Sequence, residues 1–222
     1  MVKAVLFDLY NTLIDFMKMK RMSCEAAIAA MIDGGLLMEK GEAYEKLFEL
    51  YSVHGIEHQE IFQKFLEKHL GKVDYRILAK GIAAYRKVQA GFLEPFPHVR
   101  QTMVRLKERG LKLGIVSDAP GLKGWVRLAE MNLLDFFDVV VTLDDTGKLK
   151  PHRMPFAAAV KKLGFKPKEI LFVGDNPKRD IAGAKAVGMK TALARYGQVF
   201  ESEGIQADFE LKDILDLLEI VK

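Results

Sequence analysis

The sequence has a single cysteine, Cys24, among 222 residues. One cysteine excludes an internal disulfide framework and a zinc site built from several thiolates, and it is typical of a reducing compartment. No apolar run approaches the roughly 20 residues that a membrane-spanning helix needs. The apolar N-terminal stretch ends at Asp8 and is too short for a signal peptide. We therefore expect a soluble, cytoplasmic protein without a membrane partner.

An excess of one charge is also lacking. The 34 Lys and Arg side chains and 30 Asp and Glu side chains leave a net charge of +4, and the two signs are interspersed along the chain. This pattern does not indicate a nucleic-acid partner, and we predict none. Asparagine occurs at only three positions, whereas Lys and Glu are abundant, which is a weak indication of a thermophilic source.

Short apolar runs bounded by turn residues recur along the chain and are typical of buried parallel strands. They occupy residues 2–7, 113–116, 139–141, 170–173 and 191–194. Helical patterns follow at residues 99–109, 156–163 and 180–187, each with a glycine directly after it. This alternation predicts an α/β fold with a Rossmann-like, doubly wound parallel sheet. A last amphipathic helix is expected over residues 212–221.

Residues 16–92 break this alternation, because they show helical periodicity without strands. The predicted helices cover residues 24–31, 40–51, 58–69 and 75–89. We therefore predict two domains: a Rossmann-like core formed by residues 1–15 and 93–222, and an inserted all-helical domain of residues 16–92.

Polar side chains follow four of the predicted strands, at the sheet edge where open α/β proteins bind ligands. The first strand leads to Asp8, Tyr10, Asn11 and Thr12, the second to Ser117 and Asp118, the third to Lys150, and the fourth to Asp175, Asn176 and Asp180. Any one of them has a structural explanation; Asp175, for example, could cap a helix. Their convergence from four strands favours a catalytic or binding site.

In this order and context, the residues resemble the motifs of the haloacid dehalogenase superfamily, Rossmann-like hydrolases that mostly cleave phosphate esters. The matching segments are Phe7-Asp8-Leu9-Tyr10-Asn11-Thr12-Leu13, Ile115-Val116-Ser117-Asp118, Lys150-Pro151 followed by Phe156, and Val173-Gly174-Asp175-Asn176 through Asp180. The resemblance implies that the helical insert is the family's small cap, which closes over the site. The core from Leu111 to Gly164 is similar to archaeal members described as glyceraldehyde-3-phosphate phosphatases.

The resemblance implies that Asp8 is the nucleophile and forms an aspartyl intermediate. It also implies a Mg²⁺ cofactor held by Asp8, the main-chain carbonyl of Tyr10, and Asp175, since Mg²⁺ takes oxygen ligands and few carboxylates. Asn176 and Asp180 would orient these ligands from the next layer.

The remaining site residues are expected to handle the substrate. Ser117 and Lys150 are predicted to be catalytic and to bind the phosphoryl group, with Lys150 balancing the clustered negative charge. Asn11 and Asp118 are predicted to bind substrate. Thr12 resembles the family residue that fixes the loop after the nucleophile, and we count it with the catalytic residues.

Tyr10 departs from the phosphatase pattern, in which a second Asp acts as general acid and base. A phenol stays protonated at neutral pH, so Tyr10 could donate a proton but would be a poor base. The Asp-x-Tyr loop is similar to that of 2-haloacid dehalogenases, whose halide leaves unprotonated. Those enzymes, however, have Ser and Asn in the fourth motif, whereas this sequence has the metal-binding form Gly174-Asp175-Asn176.

The sequence therefore predicts a Mg²⁺-dependent phosphomonoester hydrolase that acts on a small phosphorylated metabolite through an aspartyl-phosphate intermediate. Two alternatives stay open: a 2-haloacid dehalogenase that uses the same Asp8, and a catalytically weakened phosphate-binding or scaffold protein. Residues 16–92 contain no motif that names the substrate. The chain is expected to be a monomer or a homodimer.

Overall fold

Within residues 1–199 and 204–221, which the computed structural model describes, six parallel strands form one sheet. The strands are β1 (Ala4–Phe7), β2 (Lys112–Val116), β3 (Val139–Val141), β4 (Ile170–Gly174), β5 (Lys190–Ala194) and β6 (Phe209–Leu211), and their order is β3-β2-β1-β4-β5-β6. The first five match the predicted strands to within two residues at each end, so the predicted doubly wound parallel sheet is confirmed. β6 is not among the predicted strands.

The centre of the sheet fixes where ligands can bind. Every residue of β1 and β4 is buried, as expected for parallel strands covered on both faces. β1 pairs with β2 on one side and with β4 on the other, so the direction of chain progress across the sheet reverses between β1 and β4. The carboxyl ends of these two strands therefore form the switch point at which open α/β sheets bind ligands.

The described residues contain ten α-helices. They are α1 (Phe16–Ile32), α2 (Lys40–His54), α3 (Ile61–Leu70), α4 (Tyr75–Phe92), α5 (Val99–Glu108), α6 (Gly121–Glu130), α7 (Leu143–Thr146), α8 (Arg153–Leu163), α9 (Ala182–Ala186) and α10 (Leu217–Ile220). None of the helices in these residues is both long enough and apolar enough to cross a membrane.

The chain divides into two compact units, which we call the core unit (Met1–Phe16 with Glu94–Lys222) and the helical unit (Met17–Leu93). The helical unit contains the four predicted helices, although α1 begins at Phe16 and not at residue 24. Its helices enclose their own apolar core, in which Ile28, Leu47 and Phe65 are fully buried. Gly81 permits close packing there, because a Cβ at this position would lie 2.3 Å from Cε of Met31.

Two predicted helices of the core unit differ in the structure. Residues 180–187 do not form one helix; a π-helical turn, Pro177–Ile181, precedes α9. The helix predicted over residues 212–221 is confirmed only in part, since a 3₁₀ turn, Ile214–Asp216, comes first and α10 covers only Leu217–Ile220. The carboxylate of Asp216 accepts hydrogen bonds from the main-chain N–H groups of Lys212 and Asp213, which holds this segment in a capped turn and delays the helix.

A charged contact joins the amino-terminal end of β2 to the segment that leads into β3. The carboxylate of Asp138 accepts hydrogen bonds from Lys112 Nζ at 2.8 Å, the Leu113 N–H at 2.9 Å and Lys107 Nζ at 2.9 Å. Partial burial opposes ionisation, but these donors together lower the pKa of Asp138 to about 2. Asp138 therefore stabilises this end of the sheet in its charged form.

Candidate active site

Asp8 lies directly at the switch point of the sheet. Its main-chain N–H donates a hydrogen bond to the Val173 carbonyl at 2.8 Å, which ties the end of β1 to β4. In the following loop Asn11 has φ of 56°, in the left-handed region that Asn tolerates better than most residues. Gly197 faces this loop so closely that a Cβ would lie 1.6 Å from the Asn11 carbonyl oxygen. Only a glycine at position 197 leaves room for the loop.

Three buried carboxylates meet at this point. Oxygen atoms of Asp8, Asp175 and Asp180 all lie within 4.8 Å of one another, and the residues are 3%, 1% and 0% exposed. Lys150 Nζ donates hydrogen bonds of 2.6 Å to Oδ1 of Asp8 and to Oδ1 of Asp180. The segments after three strands, β1, β3 and β4, thus contribute to this cluster, because the carboxyl ends of parallel strands share one edge of the sheet.

The electrostatics of this cluster leave negative charge in excess. Burial, together with the charges of Asp8 and Asp180, raises the pKa of Asp175 to about 8. Burial also raises the pKa of Asp180. Burial disfavours the charge on Lys150, but Asp180 and Asp8 outweigh it and raise the pKa of the lysine. Lys150 therefore stays charged, and its single positive charge does not balance three ionised carboxylates.

The donor set fits a hard divalent cation. Asp8 Oδ2 is buried and has no hydrogen-bond partner among the residues that the structure describes. Carboxylate oxygens are the ligands that Mg²⁺ prefers. Both carboxylate oxygens of Asp180 are already engaged, one by Lys150 and the other by the Asn176 N–H at 3.0 Å. This arrangement agrees with the prediction that Asp180 orients the ligands instead of being one, and that role stays a prediction.

The loop after β4 is shaped around Asp180. A Cβ on Gly174 would lie 2.5 Å from the Cβ of Asp180, so this motif position requires glycine. The Asn176 side chain caps the π-helical turn by accepting the Arg179 N–H at 3.0 Å. Thr12 reaches the same region from the first loop, with its hydroxyl donating to Asp175 Oδ1 over a long 3.4 Å.

Ser117 and Asp118 end β2 beside this cluster. The Ser117 hydroxyl is buried and accepts the Ala119 N–H at 3.2 Å. Asp118 Oδ1 accepts the main-chain N–H of Lys150 at 2.8 Å. Asp118 thus fixes the main chain at Lys150. This contact is not part of the role that the sequence predicts for Asp118, which is substrate binding.

Sequence reasoning did not identify Arg127 on α6. Its guanidinium lies 4.3 Å from the ring centroid of Tyr10 and 5.1 Å from that of Phe16, and the two rings are stacked 4.3 Å apart at 8°. These distances are within the range of cation–π contacts. Burial lowers the pKa of Arg127 to about 10. The Tyr10 hydroxyl oxygen is buried and finds no hydrogen-bond partner within residues 1–199 and 204–221.

Sequence reasoning also did not identify Arg179. Its Nη1 lies 3.2 Å from Asp118 Oδ2. Burial disfavours the charge on Arg179, but Asp8, Asp180 and further carboxylates outweigh it and raise the pKa of the guanidinium group. Its position next to Asp180 in the fourth motif is the one signal in the sequence that could have indicated it.

Comparison with known proteins agrees with this geometry. A family model described as haloacid dehalogenase-like hydrolase matches residues 2–188. Glyceraldehyde 3-phosphate phosphatase of Methanocaldococcus jannaschii is 34% identical over 223 residues, covering 100% of this chain and 98% of that protein. The protein of the same name from Pyrococcus furiosus is 34% identical over 224 residues, with coverage of 100% and 93%.

A solved structure gives the same result for the fold. The crystal structure of a haloacid dehalogenase (HAD) phosphatase from Thermococcus onnurineus matches with a TM-score of 0.72 at 27% identity, covering 99% of this chain and 97% of the other. The resemblance inferred from the four motifs is thereby confirmed, as is the prediction that the chain is an enzyme. By sequence and by fold, this chain belongs to the haloacid dehalogenase-like hydrolases.

Proposed function

We propose that this hydrolase is a Mg²⁺-dependent phosphomonoesterase with Asp8 as its nucleophile. The observation that carries the proposal is the buried cluster of Asp8, Asp175 and Asp180 around Lys150. A 2-haloacid dehalogenase has no use for a metal-binding carboxylate set. An inert scaffold would bear the cost of buried like charges without benefit, which argues against a catalytically silent protein.

Charge balance supports a divalent ion. With every group ionised, the site has four carboxylates and two cations, a net charge of −2: Asp8, Asp118, Asp175 and Asp180 against Lys150 and Arg179. One Mg²⁺ would neutralise it. Asp8, the Tyr10 carbonyl and Asp175 would hold the ion, and Asn176 and Asp180 would orient these ligands. When bound, Mg²⁺ supplies positive charge to phosphoryl oxygens.

The reaction then follows from the groups present. A carboxylate oxygen of Asp8 attacks phosphorus as the ester P–O bond breaks, giving an aspartyl phosphate and an alcohol after protonation of the leaving oxygen. Water then attacks the phosphorus of this intermediate and the P–O bond to Asp8 breaks; one proton of the water returns to the Tyr10 phenolate, phosphate is released and Asp8 is restored. Ser117 and Lys150 hold the phosphoryl oxygens, with Asn11 and Asp118 near the substrate and Thr12 fixing the loop. Tyr10 is the proton donor for the leaving oxygen.

The substrate is proposed to be a small phosphorylated metabolite, and the helical unit to be the cap that selects it. Two relatives that match along this entire chain are named glyceraldehyde 3-phosphate phosphatase, which supports a triose phosphate as the first compound to assay. No nucleic-acid partner is proposed.

Parallel assays test the proposal. Purified protein is given an aryl phosphate and glyceraldehyde 3-phosphate, each with Mg²⁺ or with a chelator, and 2-chloropropionate is tested separately for halide release. We expect phosphate release that needs Mg²⁺ and disappears in Asp8→Asn. Metal-independent halide release without phosphatase activity would instead establish the dehalogenase. Phosphate binding without any turnover would establish the weakened protein.

A further inference from the structure

Arg179 is a cation at the active site to which the motifs assign no role. It directly precedes Asp180 in the π-helical turn after β4. Its main-chain N–H is held by the Asn176 side chain at 3.0 Å. The backbone from which the Arg179 side chain extends is therefore fixed by the same turn that positions Asp180.

The guanidinium group is fixed as well. Asp118 Oδ2 lies 3.2 Å from Nη1 of Arg179, while Asp118 Oδ1 accepts the main-chain N–H of Lys150 at 2.8 Å. One carboxylate thus holds the side chain of one cation and the backbone of the other. Lys150 Nζ in turn contacts Asp8. Asp118 consequently connects the Arg179 guanidinium to the lysine that touches the proposed nucleophile.

The guanidinium group has donors left for a ligand. Arg179 Nε is buried and has no hydrogen-bond partner among the described residues, whereas the side chain as a whole is 40% exposed. The group therefore reaches from the buried carboxylates toward solvent. Arginine presents five N–H donors in a planar fork that matches the oxygen spacing of phosphate. The fork matches a carboxylate or a phosphoryl group, and the proposed phosphatase function selects the phosphoryl group.

We propose that Arg179 donates hydrogen bonds to the phosphoryl group of the substrate and that Asp118 positions it for this contact. The inference rests on the proposed phosphatase function. A phosphate monoester dianion adds two negative charges to a site that would be neutral only with Mg²⁺, Lys150 and Arg179 all counted, so loss of the Arg179 charge disfavours its binding. Because arginine stays protonated, Arg179 stabilises charge and transfers no proton. Its effect should therefore be the same for every leaving group.

The test compares Arg179→Gln and Arg179→Lys with Lys178→Gln, which removes a neighbouring exposed lysine. Each protein is assayed with Mg²⁺ on aryl and alkyl phosphates, and inhibition constants are measured for inorganic phosphate and orthovanadate. We expect Arg179→Gln to lower kcat/KM about 100-fold, equally for both ester classes, and to weaken orthovanadate binding at least tenfold. Arg179→Lys should recover part of both losses, and Lys178→Gln should behave as the parent protein.

Asp118→Asn should weaken orthovanadate binding less than Arg179→Gln does, because it loosens the guanidinium but keeps it. Orthovanadate binding unchanged in folded Arg179→Gln would overturn the inference, even with a lower kcat. If that variant does not fold, the same comparison is made with Arg179→Lys, in which binding equal to the parent's would overturn it. Parent protein without any phosphatase activity would refute the proposed function, whereas calorimetric binding of inorganic phosphate would still decide the role of Arg179.

Discussion

Replacing Tyr10 by Phe separates what its ring does from what its hydroxyl does. The ring stacks on Phe16 at 4.3 Å, and the Arg127 guanidinium lies 4.3 Å from its centroid; Phe keeps both contacts. The buried hydroxyl has no hydrogen-bond partner among the described residues, and such a group costs about 1–3 kcal/mol. Tyr10→Phe should therefore raise the free energy of unfolding by about 1 kcal/mol, measured by chemical denaturation.

The effect on activity should have the opposite sign. A proton donor for the leaving oxygen matters most when that oxygen is strongly basic, as in alkyl esters, and general acid catalysis contributes about 10²–10⁴ in rate. Because a phenol is weaker than the carboxylic acid it replaces, we expect Tyr10→Phe to lower kcat/KM for alkyl phosphates by about 10- to 100-fold. Aryl phosphates, with good leaving groups, should change less than about threefold.

Two further variants at the same position complete the experiment. Tyr10→Asp introduces a carboxyl group that serves as acid and base, and it should raise alkyl phosphate turnover at least tenfold over the parent. Tyr10→Asn introduces a side chain of nearly the same size as Asp that cannot titrate, so it controls for the loss of the Tyr10 ring contacts. Equal effects on alkyl and aryl esters in all three variants would refute the placement of Tyr10 at the leaving oxygen.

Three further predictions concern stability and the geometry of the site. Lys150→Met leaves buried carboxylates without their cation and should abolish activity while lowering the free energy of unfolding by about 3–5 kcal/mol. Asp138→Asn should lower it by about 1–2 kcal/mol at pH 7; the depressed pKa means that this difference is full above about pH 4 and fades as the pH falls toward 2. A difference that persisted at pH 2 would contradict the assignment. Gly197→Ala forces the Asn11 loop to move and should cost at least about 2 kcal/mol and most of the activity, whereas Gly91→Ala, with open space around it, should not.

The sheet was predictable because the sequences of parallel strands covered on both faces are continuous apolar runs. β3 and β4 are clear cases, since every residue in them is apolar or glycine and buried. β6 lies at the edge, has three residues, and exposes Phe209 and Glu210, so it leaves no such run. Its pairing with β5 is a tertiary contact that local sequence does not encode.

The same reasoning separates the site residues whose position could be predicted from those whose contacts could not. Asp8, Lys150 and Asp175 could be predicted to converge because each follows a strand, and parallel strands end at one edge. Arg179 could not be assigned a partner in this way. Its ion pair with Asp118 joins positions 61 apart in the chain, so no local spacing of residues predicts it. The same holds for the aromatic contacts of Arg127, which depend on how α6 packs beside the first loop.

The distribution of charge supports the proposed cation at this site. Lys150 is shared between Asp8 and Asp180, and Arg179 is paired with Asp118, so the chain's own cations are committed to three of the four carboxylates. Asp175 is the fourth, and burial together with the charges of Asp8 and Asp180 raises its pKa to about 8, which destabilises its ionised form. A divalent ion beside Asp175 would remove this penalty, and part of its binding free energy would return as folding stability. Asp175 is thus a carboxylate through which a bound Mg²⁺ would also stabilise the fold.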